Sequence, residues 1–155
     1  MTKFWISPTL GFYSGDNTEG AREATQEEID NHFNPKKSLE ETKAAKWQEI
    51  KAIRDEKENA GFPYMGGKTL DSDNRAVQRI SIAVQAAQTA IAAGKPFNLE
   101  WTCTDNSVIA MTAGEVIGMS VALANHTNTL HEKARLLRQQ IDSATTAEGV
   151  EAVEW

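Results

Sequence analysis

Apolar residues recur every three or four positions over long stretches of the chain, a spacing that places them on one side of an α-helix. One such stretch opens at Ser38 and Glu41, which have the spacing of a helix-capping box, and runs to about Asn59. Its apolar residues are few among many charged ones, so only a narrow stripe of this helix can be buried. The pattern predicts a helix that is mostly solvated or that bridges two parts of the protein.

Two amphipathic helices are predicted in the second half of the chain. The first is capped by Asp71 or Ser72 and ends at Gly94. Its predicted buried stripe consists of Val77, Ile80, Val84, Ala87 and Ile91. The second begins at a capping box formed by Thr112 and Glu115 and has the most regular apolar spacing in the sequence. Its heptad positions are Val116, Ser120, Leu123, Thr127, Leu130, Ala134, Leu137 and Ile141.

The heptad spacing of the last helix has two interpretations. The stripe can be a core that packs within one chain, which needs no second copy. It can also be a seam between copies, in which Ser120 and Thr127 would set the register at some loss of stability. We favour the single-chain core, because the other predicted elements can cover the stripe, and keep a homo-oligomer through the Val116 to Ile141 helix as the alternative.

Strand-like alternation of apolar and polar residues occurs between these two helices. A turn at Asp105 and Asn106 separates two runs that read as a β-hairpin. The residues predicted to share its inward face are Phe97, Leu99, Trp101 and Cys103. Gly66 and Gly67 mark a second candidate hairpin, in the segment that begins at Phe62, or else a loop without regular pairing.

The N-terminal segment has the composition of a third hairpin. Two aromatic-rich runs flank Pro8 and Gly11. A short helix should follow, because Thr25 and Glu28 have capping-box spacing and Pro35 ends the pattern.

These elements predict an α+β fold in three parts. Residues 1–36 would form the N-terminal hairpin and short helix, and residues 37–61 a charged connecting helix. Residues 62–155 would form a compact domain of short antiparallel strands and two long amphipathic helices. Because a lone two-stranded hairpin is marginal in water, we expect the Phe97 hairpin to pair with the Phe62 segment and the two helices to cover its apolar face.

Composition narrows the class of partner. The net charge of -6 opposes binding to phosphate backbones, so nucleic acid is not expected as a partner. No apolar run approaches the roughly 18 to 20 residues that span a bilayer, and the N-terminal segment lacks the long apolar stretch of a signal peptide. We therefore expect a cytosolic protein with no membrane partner. The single cysteine, Cys103, excludes an internal disulfide and is expected to serve packing.

The sequence offers no recognisable arrangement for catalysis, metal binding or cofactor binding. His32, His126 and His131 are too far apart or out of phase for a helical zinc pair. The run "DSDN" from Asp71 imitates the start of a calcium loop but lacks the central glycine and the bidentate glutamate. The two glycines at Gly66 fit neither nucleotide-binding spacing. We therefore predict a protein that is not an enzyme, with no catalytic residue, no metal site and no cofactor.

Aromatic residues on small elements are the remaining candidates for function. Trp5, Phe12 and Tyr13 lie in the N-terminal hairpin, and Trp47 lies on the charged helix. Aromatic side chains on weakly buried elements often anchor interfaces, so these four are the predicted partner-binding residues. Internal packing is the alternative for all four.

Two parts of the sequence resemble bacteriophage proteins. The run "KFWISPTLGFYSGD", followed by "ATQEEIDNHF", is similar to the opening of tail-fibre assembly proteins of tailed phages. From Trp47 to Ala144 the chain resembles a domain of uncharacterised function that recurs at the ends of phage tail-fibre and tail-fibre-assembly proteins. The most specific pieces of the second resemblance are "KTLDSD", "WTCTDNSVIAMT" and "LRQQIDSA".

The resemblance implies a phage protein that associates with the tail-fibre protein. It would act in the host cytoplasm during assembly, as a chaperone or a fibre-associated adaptor, and could stay in the virion tail. It implies no catalysis. The alternative is a permanent structural subunit of the virion tail or fibre, including a host-binding tip.

Overall fold

A computed structural model describes residues 2–155 and has an α+β fold, as the sequence predicts. The chain divides into two compact units, of which the first ends at Glu41 and the second begins at Thr42. The predicted boundaries after residues 36 and 61 stay predictions. Within residues 2–155, no helix combines the length and the apolar character needed to cross a bilayer.

The first unit contains a small antiparallel sheet and one short helix. Its strands are ordered β2-β1-β3, with β1 (Phe4–Ser7), β2 (Gly11–Ser14) and β3 (Arg22–Glu23). Helix α1 (Gln26–Phe33) begins at a capping box in which Thr25 and Glu28 bond each other's backbone. The predicted hairpin and helix are confirmed. Strand β3 was not predicted, because two residues are too few to reveal an alternating pattern.

A single 3₁₀ turn (Met65–Gly67) lies in the second unit, which otherwise contains three longer helices, two hairpins and a short terminal helix. In chain order they are α2 (Leu39–Asn59), β4 (Phe62–Pro63), β5 (Thr69–Leu70), α3 (Asn74–Ala92), β6 (Asn98–Thr102), β7 (Val108–Thr112), α4 (Ala113–Ser143) and α5 (Ala147–Glu151). Helix α2 begins in the first unit and continues into the second. Capping boxes at Ser38 and Thr112 begin α2 and α4, as predicted.

The main core lies between the β6–β7 hairpin and helices α3 and α4. Trp101, Cys103 and Met111 on the hairpin are buried, whereas the alternate residues face solvent, so the predicted inward face is confirmed. The hairpin meets core residues of the helices and of the β4–β5 hairpin: Phe62, Leu70, Ile80, Ala83, Ala87, Val116 and Met119. The apolar side of the hairpin therefore has the helical cover that it requires.

The two hairpins of the second unit form separate sheets, so the predicted pairing between them is wrong. One backbone hydrogen bond joins them, from Thr104 N to Thr69 O at 3.0 Å. The Thr104 hydroxyl also donates to Asp71 Oδ1 at 2.8 Å. Strands β4 and β5 have only two residues each, so they are too short to extend a ladder along β6.

Two details of α3 also differ from expectation. Its cap is Asp73, which accepts a hydrogen bond from Ala76 N at 2.8 Å, and neither Asp71 nor Ser72 caps it. Two of the five stripe residues, Ile80 and Ala87, are buried, while Ile91 is 57% exposed. The buried residues of α3 are Ala76, Ile80, Ala83 and Ala87. Alanine occupies most of this face, which lets the backbones of α3 and α4 approach closely. Close packing of the two helices therefore decides which face of α3 is buried, and the larger β-branched residues of the predicted stripe are left more exposed.

Helix α4 is buried at both ends of its heptad stripe. Val116 packs in the main core, and Ala134, Leu137 and Ile141 are buried in the C-terminal half. The middle heptad residue Leu123 is only half-buried. The chain itself therefore covers much of the stripe, while association of copies through this helix stays a prediction.

Helix α2 runs along the C-terminal half of α4 in the opposite direction. Three contacts between the two helices establish this direction. His131 Nε2 lies 3.2 Å from Glu58 Oε2, and the Arg138 guanidinium lies 5.2 Å from the centre of the Trp47 ring. Further along, Lys43 Nζ donates to the carbonyl oxygen of Asp142 at 2.9 Å. The buried stripe of α2 is narrow, as predicted, and consists of Thr42, Lys46 and Ile50.

Tyr64 anchors the β4–β5 hairpin on α4. Its hydroxyl donates a hydrogen bond to the carbonyl oxygen of Glu115. A Cβ atom at Gly118 would lie 2.6 Å from the Tyr64 hydroxyl oxygen, so glycine leaves the room for this contact. Burial, and secondarily the charge of Glu115, raise the pKa of Tyr64 above its usual value, which keeps the hydroxyl a donor.

Gly61 and Ser72 join the end of α2 to the start of α3. The Ser72 hydroxyl accepts from Gly61 N at 2.9 Å and donates to the carbonyl oxygen of Glu58. Gly61 has a φ of +100°, and a Cβ there would lie 2.8 Å from the carbonyl oxygen of Leu70. Both the backbone conformation and the space therefore require glycine.

Replacing Gly61 with alanine should lower the free energy of unfolding by about 2 kcal/mol or more, through backbone strain and the clash with Leu70. Urea denaturation measures the change. Gly114→Ala is the matched control, because nothing lies near its added Cβ and Gly114 is inside α4. The control should be neutral or stabilising by up to about 1 kcal/mol. Equal effects of the two substitutions would contradict this account of Gly61.

Candidate partner-binding site

The sheet of the first unit has two aromatic faces, because successive residues of a strand point to opposite sides. Phe4 and Ile6 share one side, and Phe12 is paired with Ile6 across the strands. Trp5 lies on the other side, directly opposite Tyr13 on β2. The structure therefore brings two of the predicted partner-binding residues together, Trp5 and Tyr13, and places Phe12 on the opposite face.

Helix α1 packs on the face that contains Phe12. The Phe12 ring stacks on His32 with ring centroids 3.9 Å apart. Phe33 packs edge-on against Phe4 at 5.2 Å and against Phe12 at 5.9 Å. Such aromatic contacts stabilise a sheet too small to hold itself together. The observed contacts of Phe12 are therefore internal to the first unit, as in the packing alternative for this residue.

Trp5 and Tyr13 have their polar atoms bonded locally. The indole Nε1 of Trp5 donates to the carbonyl oxygen of Gly15 at 2.8 Å. The Tyr13 hydroxyl lies 2.7 Å from the Thr18 hydroxyl and accepts from Thr18 N at 3.1 Å. A partner that covers these rings would leave neither polar atom without a bond, which removes the largest cost of burying a tryptophan or a tyrosine.

Charged groups border the Trp5 side of the sheet. Lys3 Nζ lies 5.8 Å from the centre of the Trp5 ring and 3.2 Å from Glu23 Oε2. Glu23 is on β3, directly opposite Trp5. An aromatic centre with a charged rim is the usual anatomy of a protein contact surface. Sequence reasoning missed both: Glu23 is brought beside Trp5 only by the β1–β3 pairing, and Lys3, two residues before Trp5, was the local signal that could have been found.

The other side of the sheet is fastened to α1 by an ion pair. Arg22 Nη1 donates to Glu28 Oε2 at 2.8 Å, and Thr25 N donates to the same oxygen at 2.9 Å. The hydrogen bond from Arg22, followed by that from Thr25, lowers the pKa of Glu28 to about 2. Glu28 therefore joins β3, the cap of α1 and the helix itself.

Trp47, the fourth predicted residue, lies on α2 in the second unit. Its ring is flanked by the guanidinium of Arg138 at 5.2 Å and by Lys51 Nζ at 5.8 Å. Two cations against one indole are a stabilising arrangement, and the Arg138 contact ties α2 to α4. The structure thus gives Trp47 a packing role between helices of its own unit.

The described residues have no grouping of three or more His, Cys, Asp or Glu side chains that could hold a metal ion. Cys103 is buried in the main core. The site that residues 2–155 do form is a surface suited to contact, made of aromatic rings with a charged border.

The fold and this surface together define an α+β protein with a candidate contact site on its first unit. Residues 41–154 match the family described as a domain of unknown function, DUF4376, and the chain belongs to that family. The resemblance of this region to a domain of uncharacterised function is thereby confirmed. No match was found among curated proteins or among solved structures. The family match spans the second unit, so the aromatic surface lies on the part of the chain outside it.

Acid should loosen the first unit through Glu28. Because its carboxyl has a pKa of about 2 in the folded chain against an ordinary 4.5, its contribution to stability is complete above pH 4.5 and is lost as the pH falls toward 2. In the Glu28→Gln variant, we expect the folded population of the first unit to depend less on pH over this range than it does in the wild type. The amide NMR signals of β1 and α1, recorded as a function of pH, measure the folded population.

The control for this prediction is Glu27→Gln. Glu27 lies in the same first turn of α1, and its side chain forms no hydrogen bond or ion pair within residues 2–155. This variant should keep the wild-type pH profile. A profile that Glu28→Gln leaves unchanged would show that the Arg22 pair does not hold the unit together.

Proposed function

We propose that the protein is a bacteriophage tail-fibre assembly chaperone or a fibre-associated adaptor. It would bind the fibre protein and assist its folding, trimerisation or attachment. The proposal starts from the resemblance of "KFWISPTLGFYSGD" and "ATQEEIDNHF" to the opening of tail-fibre assembly proteins. Those two runs form strands β1 and β2 and helix α1 of the first unit.

Trp5 and Tyr13, opposite each other on β1 and β2, are the observation that carries the proposal. They lie side by side on one sheet face, with their polar atoms already bonded within the unit. Large, rigid rings lose little conformational entropy when a partner covers them, and they recur as anchors of protein interfaces. Such a surface suits an apolar segment of an unfinished fibre chain.

Binding of this kind supports assembly by mass action. Partly folded fibre chains expose apolar surface and unpaired strand edges, which associate wrongly at high concentration. A partner that covers the surface lowers the concentration of free, aggregation-prone chain. A negative net charge, here -6, also keeps the resulting complex apart from other complexes of the same kind.

Co-expression with the tail-fibre protein of the same phage tests the function. We expect the yield of soluble fibre trimer to rise with this chain present and to fall by about 5-fold or more when Trp5→Ser and Tyr13→Ser are combined, since both anchors are lost. Leu136→Ser is the control, because Leu136 is an exposed apolar residue on α4 in the second unit, away from the half-buried Trp5 and Tyr13 in sequence. Its yield should equal that of the wild type.

Three readouts make the outcome decisive. Amide NMR spectra of the double variant must retain the dispersed signals of the first unit, and Phe12→Ser serves as the variant expected to lose them. A trimer yield that does not depend on this chain would overturn the chaperone role. A fixed ratio of this chain to fibre in purified virions would instead favour the adaptor or a permanent tail subunit.

A further inference from the structure

Strand β6 has one edge that faces away from its partner β7. The hairpin turn fixes which backbone groups point there: Cys103 N donates to Ser107 O at 2.8 Å, and Asn106, with a φ of 61°, donates to Cys103 O at 2.9 Å. Cys103 and Ser107 are thus a hydrogen-bonded pair. Bonded pairs alternate in an antiparallel ladder, so Trp101 and Leu99 also bond β7.

The residues between them present their backbone groups to the outer edge. These are Asn98, Glu100 and Thr102, whose N–H and C=O groups have no partner within residues 2–155. The same edge is used one step further on, where Thr104 N bonds Thr69 O of β5. The chain two residues beyond β6 therefore already bonds a neighbour on this side, and the edge of β6 itself is open at these three residues.

An apolar groove lies beside this edge, between β6 and α3. Its volume is about 340 Å³, and its lining includes Ile82 and Ala86 of α3 and Phe97 and Leu99 at β6. Ile82 is 67% exposed, more than any other large apolar residue among residues 2–155. A groove that adjoins a row of free backbone donors and acceptors has the two features that strand-adding peptides use, backbone bonds for affinity and alternate pockets for selectivity.

Two charged residues line the groove, Arg79 and Glu100. The Arg79 guanidinium lies 4.8 Å from the centre of the Trp101 ring and forms no ion pair within residues 2–155. A carboxylate on the bound segment would complement it. A second copy of this chain fits less well, because each copy has a net charge of -6, and two β6 strands paired about their centre would oppose Glu100 to Glu100.

We propose that this groove and edge bind an extended peptide segment of a partner protein, which adds as a strand to β6. Apolar side chains at alternate positions of the segment enter the groove, and an acidic side chain of the segment faces Arg79. The site belongs to the second unit and is separate from the Trp5 surface. It does not depend on the fibre being the partner, so either proposal can fail while the other stands.

A set of eight-residue peptides tests the site on the full-length protein. Each peptide has valine, isoleucine, leucine or phenylalanine at alternate positions, threonine between them and one central glutamate. We expect members of the set to bind with dissociation constants below about 1 mM. Binding should shift the amide NMR signals of Asn98, Glu100 and Thr102 and slow their hydrogen exchange. The same peptides with N-methylated backbone amides on the pairing side should bind about 10-fold more weakly or not at all.

Two pairs of variants locate the contact. Glu100→Pro, compared with Glu100→Ala to account for the lost carboxylate, removes one outward N–H of β6, and Ala110→Pro removes the equivalent outward N–H of β7, so neither proline loses a ladder bond. Ile82→Glu places a charge in the groove, and Val121→Glu places one on an exposed apolar residue of α4. Glu100→Pro and Ile82→Glu should weaken binding about 10-fold, while the two controls stay within about twofold.

Three results would overturn the proposal: no peptide of the set binds, the N-methylated peptides bind equally well, or Ala110→Pro and Glu100→Pro weaken binding alike. Self-association of the protein that Glu100→Pro abolishes would assign the edge to a second copy and would equally reject a peptide occupant. A peptide with central lysine that binds Arg79→Glu better than the wild type would confirm the charge contact.

Discussion

The structure depends on the cover that helices α3 and α4 place over the apolar face of one two-stranded hairpin. A hairpin of this size is marginal in water, and its inward residues Trp101 and Met111 would be exposed without the helices. The helices in turn need the hairpin, because Ile80 and Val116 are buried against it. Each element is thus stable only with the others, which makes this part of the chain a cooperative unit.

Features that depend on residues close in sequence could be predicted, whereas features that depend on packing between elements could not. The capping boxes at Thr25 and Thr112 are local, because the two bonding partners are three residues apart, and the sequence identified both. The period of two in β6 is local in the same way. Asp73 and Ser72 are equally good caps by local chemistry, and Ser72 was excluded only by its distant bonds to Gly61 and Glu58. Such a choice is made by tertiary contacts.

The candidate sites show the same difference between local and tertiary information. The sequence identified Trp5 and Tyr13 by residue type, but only the strand register separates them from Phe12 and places Glu23 beside them. The groove beside β6 was not predicted, because it requires knowing that the alanine face of α3 turns inward and leaves Ile82 outside. Surplus apolar residues on α3 were the signal in the sequence. The proposed fibre contact and the proposed peptide groove therefore draw on different kinds of information, and they lie on different units of the chain.

Native-state amide hydrogen exchange of the free protein tests the mutual support of hairpin and helices most directly. The account predicts that the amides of Leu99, Trp101, Ile109 and Met111, which bond within the ladder, exchange only by global unfolding, together with the core amides of α3 and α4. The amides of Asn98, Glu100 and Thr102 on the open edge should exchange much faster. Exchange of the ladder amides as fast as that of the chain termini, while the helices stay protected, would contradict it.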